Sequence, residues 1–363
     1  MSGVYKAPFQ PPDGAPDDNN LGADQPYDSH VDRDPPGEDF DALNASDADL
    51  ARYNLPPRPD GATAPRALLS WKRAMSRPLY FVQGDRSDVT GPAPFGQHAD
   101  NTGSDARVQE SSRNWSGAYI RSHGGGKFAL VEALWVVPKP FPPSPRRAKA
   151  RTATAAFGSS VWVGFDGHDA VSLSLPQIGT AQFVTVDDKS ESKAPCTTFA
   201  WWQWWVRQAN NNAPMLIHRF PVASGDLIYC RVTVRTPDRI NFFIKNQSSG
   251  AAVSFDANAP RPKNPAQRSQ EILAECRTVE WILERPTQLG SKELFALPDY
   301  GVTLFYGCNA ALEAESGWEE LQLEQARLIA IKDWDGPNPG AVVSTPVRQN
   351  ASSLLLCYDG NLP

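Results

Sequence analysis

The chain has 363 residues, a formal net charge of -6, 33 prolines and 26 glycines. That length fits one large domain with a tail, or two domains. Basic residues form no sustained run, which argues against a nucleic-acid partner, and no stretch reaches the roughly 20 apolar residues that span a bilayer.

Prolines and glycines scattered through the whole chain disfavour long helices and suit short strands joined by tight turns, so an all-β fold is expected. The N-terminus, Met1-Ser2-Gly3-Val4-Tyr5-Lys6, has no apolar core of an export signal, and the compartment stays open. Cys196, Cys230, Cys276, Cys308 and Cys357 are widely spaced, with no Cys-x-x-Cys pair and no His-x-x-x-His to complete a zinc site. No metal and no cofactor is expected, and an odd count leaves at least one thiol free.

In chain order, residues 1 to about 60 are polar, acidic and proline-rich, and are expected to be disordered because they bury too little apolar surface to offset ordering entropy. From Pro65 to Arg77, Ala67, Leu68, Trp71, Ala74 and Met75 recur at helical spacing, with Pro65 in the first turn and Pro78 as the stop. Arg66, Lys72, Arg73 and Arg77 make the other face basic. An ordinary docking helix with a solvated charged side is the first reading, and an inhibitory pro-segment over an acidic cleft the second. The polar stretch from about Gly91 to Ser112 reads as a linker or activation site, so the expected division is 1–110 for tail and possible pro-segment and 111–363 for the main domain.

Twelve apolar or alternating runs follow. They are Gly117 to Ile120, Ala129 to Val137, Ser160 to Phe165, Val171 to Ile178, Thr198 to Val206 and Leu227 to Val234, then Ile240 to Ile244, Ala252 to Phe255, Thr278 to Leu283, Val302 to Tyr306, Ala326 to Ile331 and Ser353 to Cys357. That many strands between turn signals suits a sandwich of two large antiparallel sheets.

No Gly-x-Ser-x-Gly, His-Glu-x-x-His, phosphate-loop or dinucleotide fingerprint occurs, and Asn101-Thr102-Gly103 lacks the carboxylate of an Asp-Thr-Gly. None of the five histidines has a local context that suggests a triad, so carboxyl and amide groups are the expected chemistry. Thr278-Val279-Glu280-Trp281-Ile282-Leu283-Glu284 alternates, which places both glutamates on the face opposite Val279, Trp281 and Leu283. Paired glutamates on a strand are usually a solvated surface. In Phe199-Ala200-Trp201-Trp202-Gln203-Trp204-Trp205, however, tryptophans occupy both faces of one strand, so the second face is either a groove or further core. In the core reading Gln203 is a buried polar group that needs partners.

Together these segments resemble the glutamic peptidase family, the eqolisins. Asn114-Trp115-Ser116-Gly117 is similar to the family's opening strand, and Trp162-Val163-Gly164-Phe165-Asp166-Gly167 to its Trp-Val-Gly-Ile-Asp-Gly. Pro176-Gln177-Ile178-Gly179 stands where the family has Leu-Gln-Thr-Gly, and Ala200-Trp201-Trp202-Gln203-Trp204 where it has Ala-Trp-Tyr-Glu-Trp. Gly225-Asp226 and Asn246 resemble its turns, Cys276 to Glu284 its glutamate strand, and Phe295 to Tyr300 its Pro-Phe-Ala-x-Phe. The resemblance spans residue 112 to the C-terminus and implies a β-sandwich endopeptidase acting at acid pH on polypeptides.

By this resemblance Gln177 and Glu284 are the catalytic pair, and Trp162, Asp166, Trp201 and Gln203 contact substrate. Glu284 is then general base and acid, and Gln177 orients the water and stabilises the oxyanion. The chain departs from the family at Gln203, where an amide replaces a carboxyl and removes a titrating group, and at Ile178 and Pro176. Cys276 lacks the partner cysteine that some relatives have near His168-Asp169. A monomer is expected. The competing readings are a non-catalytic peptide- or carbohydrate-binding sandwich and a structural protein whose tryptophans are all core.

Overall fold

The computed structural model describes residues 30–31, 34–82, 90–92, 95–96, 109–143, 154–168, 172–187, 196–206, 214–260, 272–288, 293–315, 317–334 and 339–358. The chain opens with β1 (His30–Val31), α1 (Asp47–Arg52), α2 (Pro65–Met75) and the short strands β2 (Tyr80–Phe81), β3 (Thr90–Pro92), β4 (Phe95–Gly96) and β5 (Gln109–Ser112). Longer strands follow: β6 (Trp115–Arg121), β7 (Lys127–Val136), β8 (Thr154–Phe165), β9 (Ser174–Asp187), β10 (Cys196–Val206), β11 (Met215–Ile217), β12 (Leu227–Thr236), β13 (Arg239–Asn246) and β14 (Ala251–Asn258). The last are β15 (Thr278–Glu284), β16 (Thr287–Gln288), β17 (Val302–Ala314), β18 (Gly317–Leu321), β19 (Arg327–Asp333), β20 (Ala341–Asn350) and β21 (Ser353–Tyr358).

Backbone pairing runs unbroken from β11 through β10, β9, β8, β15 and β6 to β19, then through β20, β21, β17, β7, β12 and β13 to β14. This ribbon folds on itself into the expected all-β sandwich. One layer is β10-β9-β8-β15-β6, the other β17-β7-β12-β13-β14. The core between them joins Val163, Ile178, Trp202 and Trp281 of the first layer to Val131, Cys230, Phe242 and Phe255 of the second. Trp202 lies 5.3 Å from Phe242 and 5.0 Å from Phe255, ring centre to ring centre. Trp135 Nε1 crosses the layers to donate to Thr180 Oγ1 at 3.0 Å, which satisfies an indole that would otherwise be buried unpaired.

All twelve expected runs fall on strands. The fourth is displaced: β9 begins at Ser174 and continues to Asp187 because Thr180 to Val184 still alternate. β20 escaped the pattern because Pro346 and a polar C-terminal half mask it, although it pairs with both β19 and β21. All five cysteines are free thiols.

The N-terminal segment differs from expectation. Residues 1–29 lie outside the described residues, but 34–60 include α1 and bury Ala42, Leu50 and Leu55, so the expected disorder does not extend to residue 60. A Ser46 side chain caps α1 by accepting from Asp49 N at 3.1 Å. Helix α2 buries Ala67, Trp71, Ala74 and Met75 and leaves its arginines and lysine exposed, as a docking helix does. It packs on the outer face of the second layer, against Leu130, Tyr229, Phe243, Ala252 and Ala311, and so lies on the layer opposite Gln177 and Glu284. The reading of this helix as a cover over the cleft is therefore corrected.

Candidate active site

The outer face of the first layer carries a second apolar cluster that includes Trp115, Trp162, Trp201, Trp205, Ile282 and Phe295. Alternation puts it there: Val161 and Val163 enter the inter-layer core while Trp162 turns outward, and Trp202 and Trp204 turn inward while Trp201 and Trp205 turn outward. The same parity places Gln177, Gln203, Glu280 and Glu284 on this outer face. It is not an open surface in this structure: Gln177 is 0 % exposed, and Gln203 and Glu284 are 1 % exposed.

Strand register sets two rows. Glu280, Gly164, Gln177 and Gln203 lie abreast across β15, β8, β9 and β10, and so do Ile282, Trp162, Gly179 and Trp201. Glu284, opposite Ser160, lies two residues beyond Trp162 on one side, and Gln177, opposite Gly164, two residues beyond it on the other. The Trp162 indole thus stands between the two expected catalytic residues.

Each glycine in these rows makes room for a neighbour. A Cβ at Gly179 would lie 2.6 Å from Trp162 Cβ, and one at Gly164 would lie 2.9 Å from Gln177 Cβ. Both clashes involve atoms fixed by the backbone. Gly179→Ala is therefore expected to destabilise the fold by about 1–3 kcal/mol through overpacking, read as a fall in the thermal midpoint together with a changed tryptophan emission. An unchanged midpoint would show that β8 and β9 do not pack this closely at Gly179.

Glu284 is held by two N–H donors. Trp162 Nε1 donates to Oε2 at 2.8 Å, and Asn114 Nδ2 to Oε1 at 3.3 Å. Ser112 Oγ, 3.0 Å from Asn114 Oδ1, fixes the amide that does this. Trp115 meets Trp162 edge-on at 5.1 Å and sets the plane of that indole. Neither Asn114 nor Ser112 stood out as a functional residue in sequence, because an asparagine at a strand start reads as a turn residue until its side chain is seen to reach a carboxylate 170 positions away.

Gln177 Nε2 donates to Gln203 Oε1 at 3.0 Å, while Gln177 Oε1 is buried without a hydrogen-bond partner. Gln203 therefore faces Gln177 and orients it. Asp166 stands apart from this group. Its carboxylate accepts from Cys276 N at 2.8 Å and Arg277 N at 2.7 Å, locking the end of β8 to the start of β15 with a left-handed φ of 68°. Burial, only partly offset by those N–H bonds, raises its pKa to about 6.

Glu280 sits in a different setting from Glu284. Burial pushes its pKa up to about 8, and its Oε1 accepts from His168 N at 3.2 Å. His168 in turn stacks on Tyr119 at 3.6 Å and reaches Glu110 Oε2 at 2.8 Å. Of the two glutamates on β15, one is kept protonated in the acid range and the other is arranged as an acceptor for two N–H groups. Among the described residues no group of three or more His, Cys, Asp or Glu is placed to hold a metal ion, and no helix is long and apolar enough to cross a membrane.

Two short ladders tie the N-terminal segment to strands next to this layer. β3 adds to β11, beside β10, and β4 pairs with β16, which continues from β15. Phe295, just after β16, packs into the outer cluster.

The model of the Peptidase A4 family matches residues 113–354. Among solved structures, scytalido-glutamic peptidase with a transition-state analogue inhibitor is 19 % identical, with a TM-score of 0.47, over 68 % of this chain and 98 % of that one. SCP-B, a member of the eqolisin family, in a complex with the tripeptide Ala-Ile-His, is 18 % identical, with a TM-score of 0.45, over 68 % and 98 %. Aspergilloglutamic peptidase from Aspergillus niger is 19 % identical, with a TM-score of 0.42, over 56 % and 99 %. No curated protein matches.

Proposed function

Because the chain belongs to the Peptidase A4 family, the glutamic peptidases or eqolisins, and is a glutamic-type endopeptidase, we propose that it hydrolyses peptide bonds with Glu284 and Gln177. The observation that carries this is the pairing of a carboxylate held by Trp162 and Asn114 with an amide whose Oε1 is buried and unpartnered.

In this reading Gln177 Oε1 accepts from the attacking water, and Glu284 takes that water's second proton as its oxygen bonds to the peptide carbonyl carbon. Gln177 has two N–H groups: one is spent on Gln203 Oε1, and the other is free to donate to the oxyanion. Collapse of the tetrahedral intermediate breaks the C–N bond, and the proton on Glu284 passes to the leaving nitrogen. Gln203 serves as an acceptor that does not titrate, and Trp162 and Trp201 supply apolar walls.

Access is the other half of the reading. With the pair buried, a substrate enters only after something leaves, and the ladders at β3 and β4, beside this layer, are only three and two residues long. We propose that β3 and β4 hold the enzyme as a zymogen. The test follows cleavage of a denatured protein from pH 2 to pH 7, with the intact chain beside one cut at an engineered site within residues 97–108. Acid-side cleavage that rises after the cut is expected. No cleavage by either form would favour a sandwich that binds peptides or glycans without cutting them.

A further inference from the structure

We infer that the outer face of the second layer is a built docking surface for residues 34–82, and that this segment stays bound as a noncovalent subunit when the chain between Val82 and Gln109 is cut. This is independent of what Gln177 and Glu284 catalyse.

The reason lies in which polar groups the two parts share. The N-cap of α2 is Ala64, which has no side-chain oxygen to offer the free N–H groups of the first turn. Glu320 of β18 supplies both oxygens instead, accepting from Arg66 N at 3.1 Å and Ala67 N at 2.7 Å. At the other end, the buried ammonium of Lys245 on β13 donates to Ala74 O and Ser76 O, each at 2.8 Å. A carboxylate at the N-terminus and an ammonium at the C-terminus match the helix dipole at both ends.

Between them Arg231, which is 1 % exposed and paired to Glu132 at 2.7 Å, spends its remaining reach on Ala67 O at 2.8 Å. Asn241 donates to Asn54 O at 2.7 Å, and the Arg235 guanidinium to Leu55 O. These sheet groups take acceptors from the segment, and withdrawing it would leave Arg231 and Lys245 facing an apolar patch of Tyr229, Phe243 and Ala252. The segment also joins the edge of β14 through β2, which pairs parallel with Ala251 and Ala252, and β1, ahead of the segment, pairs antiparallel with Asp256 and Ala257. A surface whose buried donors and edge hydrogen bonds find acceptors in the segment is a permanent interface, unlike the two short ladders at β3 and β4.

The test uses the full chain with the recognition sequence of a site-specific protease inserted between residues 84 and 85. After complete cutting at micromolar protein, the two fragments are expected to elute together at the volume of the uncut chain on size exclusion. In the cut Glu320→Gln and Lys245→Met variants, whose uncut forms keep the covalent link and are checked for folding first, dissociation of the fragments is expected to rise by on the order of tenfold each. Elution of the N-terminal fragment by itself, whether the remainder stays soluble or precipitates, would overturn the inference. So would equal retention in both variants and in the parent, which would show that the polar ties do not make the interface.

Discussion

Glu284→Gln is expected to lower kcat on peptides by about three orders of magnitude or more, because it removes the only group proposed to take the water's proton and return it to nitrogen. The amide keeps an oxygen for one N–H donor, so the fold should survive, and an unchanged circular dichroism spectrum would separate lost chemistry from lost structure. Gln177→Ala is expected to lose about 10²–10³-fold, the usual scale for one oxyanion donor. The decisive companion is Glu280→Gln. Glu280 lies abreast of Gln177 across Gly164, nearer in register than Glu284, and is the rival base. If Glu280→Gln silences the enzyme while Glu284→Gln retains activity within tenfold, the roles assigned to the two glutamates are reversed.

Stability should fall as pH rises through the range from about 4.5 to about 8. Glu280 has an ordinary value of 4.5 and is raised to about 8 by burial in the folded chain. Between those limits the native state holds a proton that the unfolded state has released, so each pH unit costs on the order of 1.4 kcal/mol of stability. Asp166, raised by burial from 3.8 to about 6, adds to the decline over the lower part of the window. Glu110 works in the opposite sense: hydrogen bonds from Tyr119 and the nearby charges of His168 and Arg327 outweigh its desolvation and hold it below 4.5, so it contributes stability that is lost only as pH falls through that region. The net result is a fold best suited to mildly acid solution. Thermal midpoints from pH 4 to 8.5 should drop steadily for the parent and much less for Glu280→Gln, whose side-chain oxygen can still accept from His168 N. Parallel slopes for the two proteins would mean that Glu280 titrates near its ordinary value.

Much of this protein was legible before any coordinates, and for a local reason. A strand that packs two faces writes its partition into every second residue, so Val279, Trp281 and Leu283 could be separated from Glu280, Ile282 and Glu284 by parity alone. Pro65, Pro78 and the spacing of Ala67, Trp71 and Ala74 marked α2 to within two residues. The motif order from Asn114 to Tyr300 pointed to the family that the match over residues 113–354 shows.

Tertiary structure decided what parity cannot encode, namely which residues of distant strands stand abreast and what covers a face. Register alone set Gln203 against Gln177 and gave the amide its partner. Asp166 read in sequence only as an acid at a turn, and its carboxylate ties the end of β8 to the start of β15 because two N–H groups 110 and 111 residues away converge on it. The basic helix went to the far layer because Glu320 supplies there the carboxylate that its first turn lacks, and Arg231 and Lys245 donate to its carbonyls. Alternation and capping are short-range and can be read along the chain. Register, cover and charge pairing are long-range sums over residues far apart in sequence, and they exist only once the two layers have closed.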